Sequence, residues 1–264
     1  RAFYYNGHTM GNLGTLGGTE SGAMAINDSG QIVGWSYLSG DTVTHAFLYD
    51  GATMQDLGAL AEGDDSQAYD INTSGQIVGW SYGRPFLYAG GTMQDLSPDA
   101  NTFGEAWGIN DSGQVAGSSW EAGQPSHAFL YQSGAMQDLG TLGGTASSAM
   151  AINSSGQVAG YADTAGDALQ RAFLYDGVMH DLGGINDSHS YGYGINDSGH
   201  VVGSSYTWGF LYDGTALHNL NDMLADSSSG WTVARQWAIN NAGQTAGWGV
   251  NQAGQAHAIL LTPQ

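Results

Sequence analysis

Few residues in this chain can do chemistry, and they gather at corresponding places in a repeating pattern. A histidine, two tyrosines and a second histidine, His189, Tyr191, Tyr193 and His200, fall within twelve positions. Such groups can act as base and acid in a lyase. Glu105 and Asp70 are the carboxylates from which a glycoside-hydrolase pair would be drawn. An enzyme built this way would use Glu105, Tyr191, His189 and Arg235. A binding site would use Gln67, Tyr69, Asp70, Glu105, Trp107, Tyr191, Arg235 and Trp237, because polar acceptors beside rings with a polar tip suit sugars. Trp35, Trp80 and Trp248, with Tyr161 in a corresponding place, form a second aromatic row that serves stacking or packing. No Gly-x-Ser-x-Gly elbow, His-Glu-x-x-His helix or phosphate loop is present. A catalytic role therefore has no motif behind it, and binding is the leading reading.

A second recurrent set reads as structural. Arg1, His45, Arg84, His127, Arg171 and His257 each stand just before or at the start of a similar apolar segment. Asp56, Asp95, Asp138 and Asp181 stand in the segment that follows each of four of them. Exchange of His for Arg at one position argues against a metal, since Arg is not a normal ligand. We expect local pairs: His45, His127 and Arg171 with an Asp such as Asp56, Asp138 or Asp181. Calcium is the one cofactor the acids suggest, in the turns at Asp28, Asp111, Asp187 and Asp197 or at Glu62-Gly63-Asp64-Asp65. The calcium-loop spacing is absent, so plain turns and a solvated loop are the expectation, with no metal or other cofactor.

The elements that hold these residues come from repetition. Ile-Asn-x-x-Gly recurs with Asn27, Asn72, Asn110, Asn153, Asn196 and Asn240, at intervals of 45, 38, 43, 43 and 44. Phe-Leu-Tyr recurs at Phe47, Phe86, Phe129, Phe173 and Phe210, and Met-Gln-Asp-Leu at Met54, Met93 and Met136. Each copy holds four short strands, A to D, such as 23–27, 31–37, 45–49 and 53–57. Asn-Asp-Ser-Gly suits a tight A–B turn, and Asp50-Gly51, Asp176-Gly177 and Asp213-Gly214 mark C–D hairpins. Strand C is apolar on consecutive positions, as when both faces are covered. Six such copies predict an all-β fold, a six-bladed β-propeller of four-stranded blades, with residues 1–264 as one domain. A β-solenoid is the alternative. The chain opens with strands C and D and ends with A, B and C, so strands from both termini are expected to close one blade. The strand at 258–261 would lie next to strand B of the sixth copy, and the strand at 9–13 would complete that blade. Strand A would be innermost, placing Gly22, Gln67, Glu105, Ser148, Tyr191 and Arg235 around the mouth of a central channel.

These copies resemble the HAF-repeat family of bacterial proteins assigned to the extracellular space. The resemblance is carried by His45-Ala46-Phe47-Leu48-Tyr49-Asp50-Gly51, by Met54-Gln55-Asp56-Leu57-Gly58, by Leu13-Gly14-Thr15-Leu16-Gly17-Gly18 and by the Ile-Asn-x-x-Gly-Gln hairpins. It spans essentially the whole chain. It implies a secreted or cell-surface location and carries no activity with it. Trp208-Gly209 departs from the His/Arg-Ala start of strand C.

Composition narrows the partners. The net charge is −20, with four arginines and no lysine. Nucleic acid is excluded, because its phosphates require several cations, and polyanionic surfaces are disfavoured by the same field. There is no cysteine, and no apolar run reaches the length of a membrane span. The chain begins at Arg1 without Met, as a processed chain would. The function expected is an extracellular interaction module, with a neutral polysaccharide at the channel mouth or another extracellular protein as partner. A polysaccharide lyase or hydrolase and a ligand-free scaffold are the alternatives.

Overall fold

The structure is a computed structural model that describes residues 1–225 and 230–263. It is all-β, a six-bladed β-propeller. A hairpin comes first, β1 (Ala2–Tyr5) with β2 (Met10–Gly14). The first full blade is β3 (Gly17–Ile26), β4 (Ile32–Leu38), β5 (Thr44–Tyr49) and β6 (Met54–Asp56). The second is β7 (Ser66–Ile71), β8 (Ile77–Ser81), β9 (Arg84–Ala89) and β10 (Thr92–Asp95), and the third is β11 (Thr102–Ile109), β12 (Val115–Glu121), β13 (His127–Gln132) and β14 (Ala135–Asp138). The fourth is β15 (Gly143–Ile152), β16 (Val158–Thr164), β17 (Gln170–Tyr175) and β18 (Met179–Asp181). The fifth is β19 (Ser190–Ile195), β20 (Val201–Ser205), β21 (Trp208–Tyr212) and β22 (Leu217–Asn219), and the last is β23 (Thr232–Ile239), β24 (Thr245–Val250) and β25 (Ala256–Leu261). The named strands pair antiparallel with their sequence neighbours, so strand A lies at one edge of its sheet. The strand 258–261 takes the regular C slot beside β24. The strand expected to complete that blade, Met10–Gly14, pairs with β1 in a two-stranded sheet.

The chain divides into two compact units, residues 1–124 with 131–137, and residues 125–130 with 138–264. In both, the Ile-Asn-x-x-Gly-Gln hairpin is built the same way. The Asn72 N–H donates to the Gln76 carbonyl and the Gly75 N–H to the Asn72 carbonyl, with Gly75 at φ +79°. That left-handed conformation favours Gly, as the turn requires. The Asn72 amide oxygen accepts from the Gln76 N–H, and its nitrogen donates to Gln76 Oε1 and to the Asn110 carbonyl one blade on. Asn27 reaches Asn72 likewise, and Asn153 and Asn196 reach the carbonyls of Asn196 and Asn240. A side chain that both closes its own turn and ties it to the next explains why Asn recurs.

Packing repeats as well. Phe47, Phe86, Phe129, Phe173 and Phe210 of strand C are at most 1% exposed. A buried serine links consecutive blades. Ser66 Oγ accepts the Ala46 N–H at 2.8 Å and donates to the Gly58 carbonyl, and Ser21, Ser147 and Ser190 make the same bridge. Where Pro85 leaves strand C without the donor, the serine is replaced by Gly104, against which the proline ring packs. Ser66→Ala strands one buried donor, so thermal or urea unfolding should report a loss of about 1–3 kcal/mol. An unchanged midpoint would mean that the bridge contributes nothing.

Candidate functional site

One irregularity sets the geometry of strand A. In every blade the A–B register slips by one residue: between Ala23 and Ala25, Ala68 and Asp70, Ala106 and Gly108, Ala149 and Ala151, Gly192 and Gly194, and Gln236 and Ala238. The residue left out of the pairing is Met24, Tyr69, Trp107, Met150, Tyr193 or Trp237. These are the positions whose type alternates between Met and aromatic in the sequence. A β-bulge re-aims the side chain it carries, so each blade presents one such residue. The bulge also brings strand A close to strand B, and a Cβ on Gly79, Gly160 or Gly203 would run into the carbonyl of Gln67, Ser148 or Tyr191.

In the first unit the bulges bring Tyr69 and Trp107 together. Their rings stack with centroids 4.2 Å apart and planes within 5°. Burial, followed by the nearby Glu105 carboxylate, raises the pKa of the Tyr69 hydroxyl well above its ordinary value, against the lowering effect of Trp80. Glu105 sits half-buried, and burial raises its pKa. Asp70 accepts from the N–H of Ile71 and, one blade on, of Ile109, both at 2.9 Å. Its pKa is raised to about 6, because burial outweighs those two hydrogen bonds. Gln67 lies opposite Trp80 in the A–B register. Gln67, Tyr69, Asp70, Glu105 and Trp107 are therefore close in the fold, with Asp70 a strand-to-strand tie. This set can stack a ring and accept a hydroxyl proton.

In the second unit Tyr193 and Trp237 pair at 4.6 Å with planes tilted by 43°. The Arg235 guanidinium lies 5.2 Å and 4.9 Å from those two ring centroids, a cation–π contact that partly meets the needs of the charge. Tyr191 stacks on Tyr193 at 6.4 Å, meets Tyr161 edge-on at 5.2 Å and donates its hydroxyl to Gln170 Oε1. Burial first, then Tyr193 and Tyr161, raise the Tyr191 pKa against the lowering effect of Arg235. His189 Nδ1 accepts the Gln170 N–H at 3.0 Å. That contact commits Nδ1 as an acceptor, leaving Nε2 to carry any proton. Tyr191, Arg235 and Trp237 thus form a second set, with His189 beside it. His200 is apart, because it follows the β19–β20 turn while His189 precedes β19, roughly 20 Å of strand away.

The chain resembles known propellers in fold. It aligns over 98% of its length with a puromycin-hydrolysing peptidase from Mycobacterium tuberculosis, covering 46% of that chain, at 13% identity and a TM-score of 0.63. It covers 80% of the β-propeller domain of the Trilobed protease from Pyrococcus furiosus, which has an open velcro topology, using 92% of its own length at 11% identity and a TM-score of 0.55. TolB from Acinetobacter baumannii aligns over 70% of the chain at 15% identity and a TM-score of 0.46. The chain spans about half the length of the TolB and peptidase structures, 49% and 46%. A family model described as a protein of unknown function, DUF3466, matches residues 15–83. No curated protein matches.

Four of the six recurrent His and Arg residues are paired locally. His45 pairs with Asp56 at 2.8 Å, His127 with Asp138 at 2.7 Å, and Arg84 with Asp95. Arg171 departs from the expected partner. It takes Asp187 and the Ser188 carbonyl, while Asp181 caps the Gly183 N–H. The guanidinium reaches past strand D to the loop before β19, which a histidine could not do. The turn acids are engaged as well: Asp111 accepts from Thr73, Asp197 from Ser154 and Asn241, and Asp65 from Thr44. No group of three or more His, Asp or Glu able to hold a metal is assembled among the described residues.

The second tryptophan row is not a separate surface. Trp35 lies opposite Gly22, Trp80 opposite Gln67 and Trp248 opposite Arg235 in the A–B registers. Trp80, Tyr161 and Gln170 thereby join the candidate residues. Counting outward from each Asn-x-x-Gly turn, with one residue skipped, would have placed them.

Proposed function

We propose that this protein is an extracellular interaction module that binds a neutral saccharide through the bulged aromatic residues of strand A in the first unit. The observation that carries this reading is the stacked Tyr69–Trp107 pair, whose outer ring faces are left for a ligand, with the Glu105 carboxylate nearby. An aromatic face stacks on the C–H face of a sugar ring, and a carboxylate held at that edge accepts its hydroxyls. In the second unit Arg235 already lies over the corresponding pair, which makes that pair the poorer platform. The charge of −20 favours neutral saccharides over polyanions. The HAF-repeat resemblance supports the extracellular location. No metal or cofactor is part of this reading.

The test is a titration with neutral oligosaccharides, followed by calorimetry and intrinsic fluorescence. Trp107→Ala should weaken binding by roughly 30-fold, as loss of an aromatic anchor worth about 2 kcal/mol does. Glu105→Ala should cost roughly tenfold, and Arg235→Ala should leave affinity unchanged. Binding that survives the first two substitutions sinks the assignment. Sensitivity to Arg235→Ala alone would transfer it to the second unit. Products accumulating with wild type but not with Glu105→Gln would favour the polysaccharide-active alternative.

A further inference from the structure

The second unit carries a cation whose hydrogen-bonding groups the protein does not use. Arg84 donates its guanidinium to Asp95 and to the carbonyls of Asp99 and Ala100, and Arg171 donates to Asp187 and the Ser188 carbonyl. The Arg235 guanidinium donates to no oxygen and joins no ion pair among the described residues, in a chain with 24 acids. Its contacts are the rings of Tyr193 and Trp237, with the guanidinium carbon 5.2 Å and 4.9 Å from their centroids. A ring face attracts the charge without filling the in-plane N–H donors of the fork. Arg235 is half-buried and Trp237 is 49% exposed, so the cluster is open to solvent.

The copies differ at this place in charge. Two residues before the bulged position stand Gly22, Gln67, Glu105, Ser148, Tyr191 and Arg235. Glu105 precedes Trp107 of the ring pair in the first unit, and Arg235 precedes Trp237 of the ring pair in the second. The two pairs therefore carry opposite charges at the same register. Polar groups continue past the rings of the second pair. Tyr191 stacks on Tyr193, and its hydroxyl donates to Gln170 Oε1 at 2.9 Å while its oxygen keeps a lone pair. Gln170 Nε2 donates to no protein group among the described residues. Asp163, opposite Gln170 in the β16–β17 register, lies near enough to act on Tyr191. It repels a second negative charge on anything bound at Arg235.

We propose that Arg235, Tyr193 and Trp237 form a subsite for a uronic acid, a sugar ring bearing a single carboxylate. The carboxylate takes the guanidinium fork through two parallel hydrogen bonds, a match that a planar anion makes and a hydroxyl does not. The C–H face of the ring covers the exposed part of Trp237. Its hydroxyls reach Tyr191 and Gln170. A phosphate monoester carries close to two charges near neutral pH and is disfavoured by Asp163 and by the net charge of −20. The subsite shares the saccharide chemistry proposed for the first unit but rests on none of its residues.

The probes are methyl glucuronide, its methyl ester and methyl glucoside, titrated into the full chain and followed by intrinsic fluorescence and ligand-observed NMR. The glucuronide should bind at least tenfold tighter than the ester or the glucoside. Arg235→Gln should remove that preference, and Arg235→Lys should restore only part of it, since an ammonium lacks the fork. Trp237→Ala should weaken the glucuronide, whereas Trp107→Ala should leave it unaffected. Equal affinity of the wild type for the glucuronide and its ester would overturn the proposal, and that comparison needs no variant to fold. So would a preference that survives Arg235→Gln, or competition by acetate at the affinity of the glucuronide. Failure of this subsite would leave the effect of Trp107→Ala on neutral oligosaccharides as it stands, so the two readings fail separately.

Discussion

Asn72→Ala should lower the melting temperature by on the order of 10 °C, the largest stability effect we expect from one side chain. Asn72 is 4% exposed, and its amide makes contacts in two blades. Truncation leaves the Gln76 N–H and the Asn110 carbonyl without this partner and Gln76 Oε1 with only the Ser74 hydroxyl. Each stranded buried group costs about 1–3 kcal/mol, and partial rescue by water brings the sum to roughly 3–5 kcal/mol. A domain of this size loses about 2–4 °C per kcal/mol. Asn27→Ala is the internal control. Asn27 makes the equivalent bonds but is only half-buried, so water can replace more of them. Its midpoint should fall by less than half as much. Equal shifts for the two variants would show that burial does not set the cost of losing these bonds.

Asp70→Ala should cost more stability at pH 4 than at pH 7. The carboxyl has an ordinary pKa of 3.8 in the unfolded chain and about 6 in the folded one. A raised folded pKa means that the folded state binds the proton more tightly. The resulting stabilisation is fully present below pH 3.8 and is lost as pH rises through 6. The shift corresponds to about 2–3 kcal/mol across that window. Alanine occupies this position in other blades, at Ala25, Ala151 and Ala238, so the substitution introduces no new strain. Relative to wild type, Asp70→Ala should be less stable at pH 4, where a neutral acid still meets the Ile71 and Ile109 N–H groups. It should recover by about 2–3 kcal/mol at pH 7. Only the difference between the two proteins isolates this effect, because Asp50, Asp99, Asp176, Asp197 and Asp213 have lowered pKa values and favour the folded state at higher pH. A difference that stays constant from pH 4 to pH 7 would mean that Asp70 titrates normally.

Local chemistry was legible wherever one copy explains itself. The Asn-x-x-Gly turn, the Asp-Gly hairpins, the double-sided burial of strand C and the His45–Asp56 and His127–Asp138 pairs lie within one hairpin, so spacing is enough to find them. What the sequence hid depends on neighbours outside that span. The bulge hid because it costs a single residue in a strand whose alternation is already blurred by Gly and Ala. Without it, Tyr69 and Trp107 read as ordinary members of a strand, and Trp80 cannot be set opposite Gln67. Arg171 misled for a similar reason: its partner Asp187 lies sixteen residues on, in the loop before β19. The strand Met10–Gly14 carries the strand D pattern, and pattern alone does not say which strand C it joins.

The one-residue slip in each blade has a consequence for change. A residue that takes no part in strand pairing can be exchanged without disturbing the register on either side. The copies already sample Met, Tyr and Trp there. Variation at 24, 69, 107, 150, 193 and 237 should therefore spare the turns, the serine bridges and the buried phenylalanines. Such a scaffold separates the positions that can vary from those that must stay constant to fold.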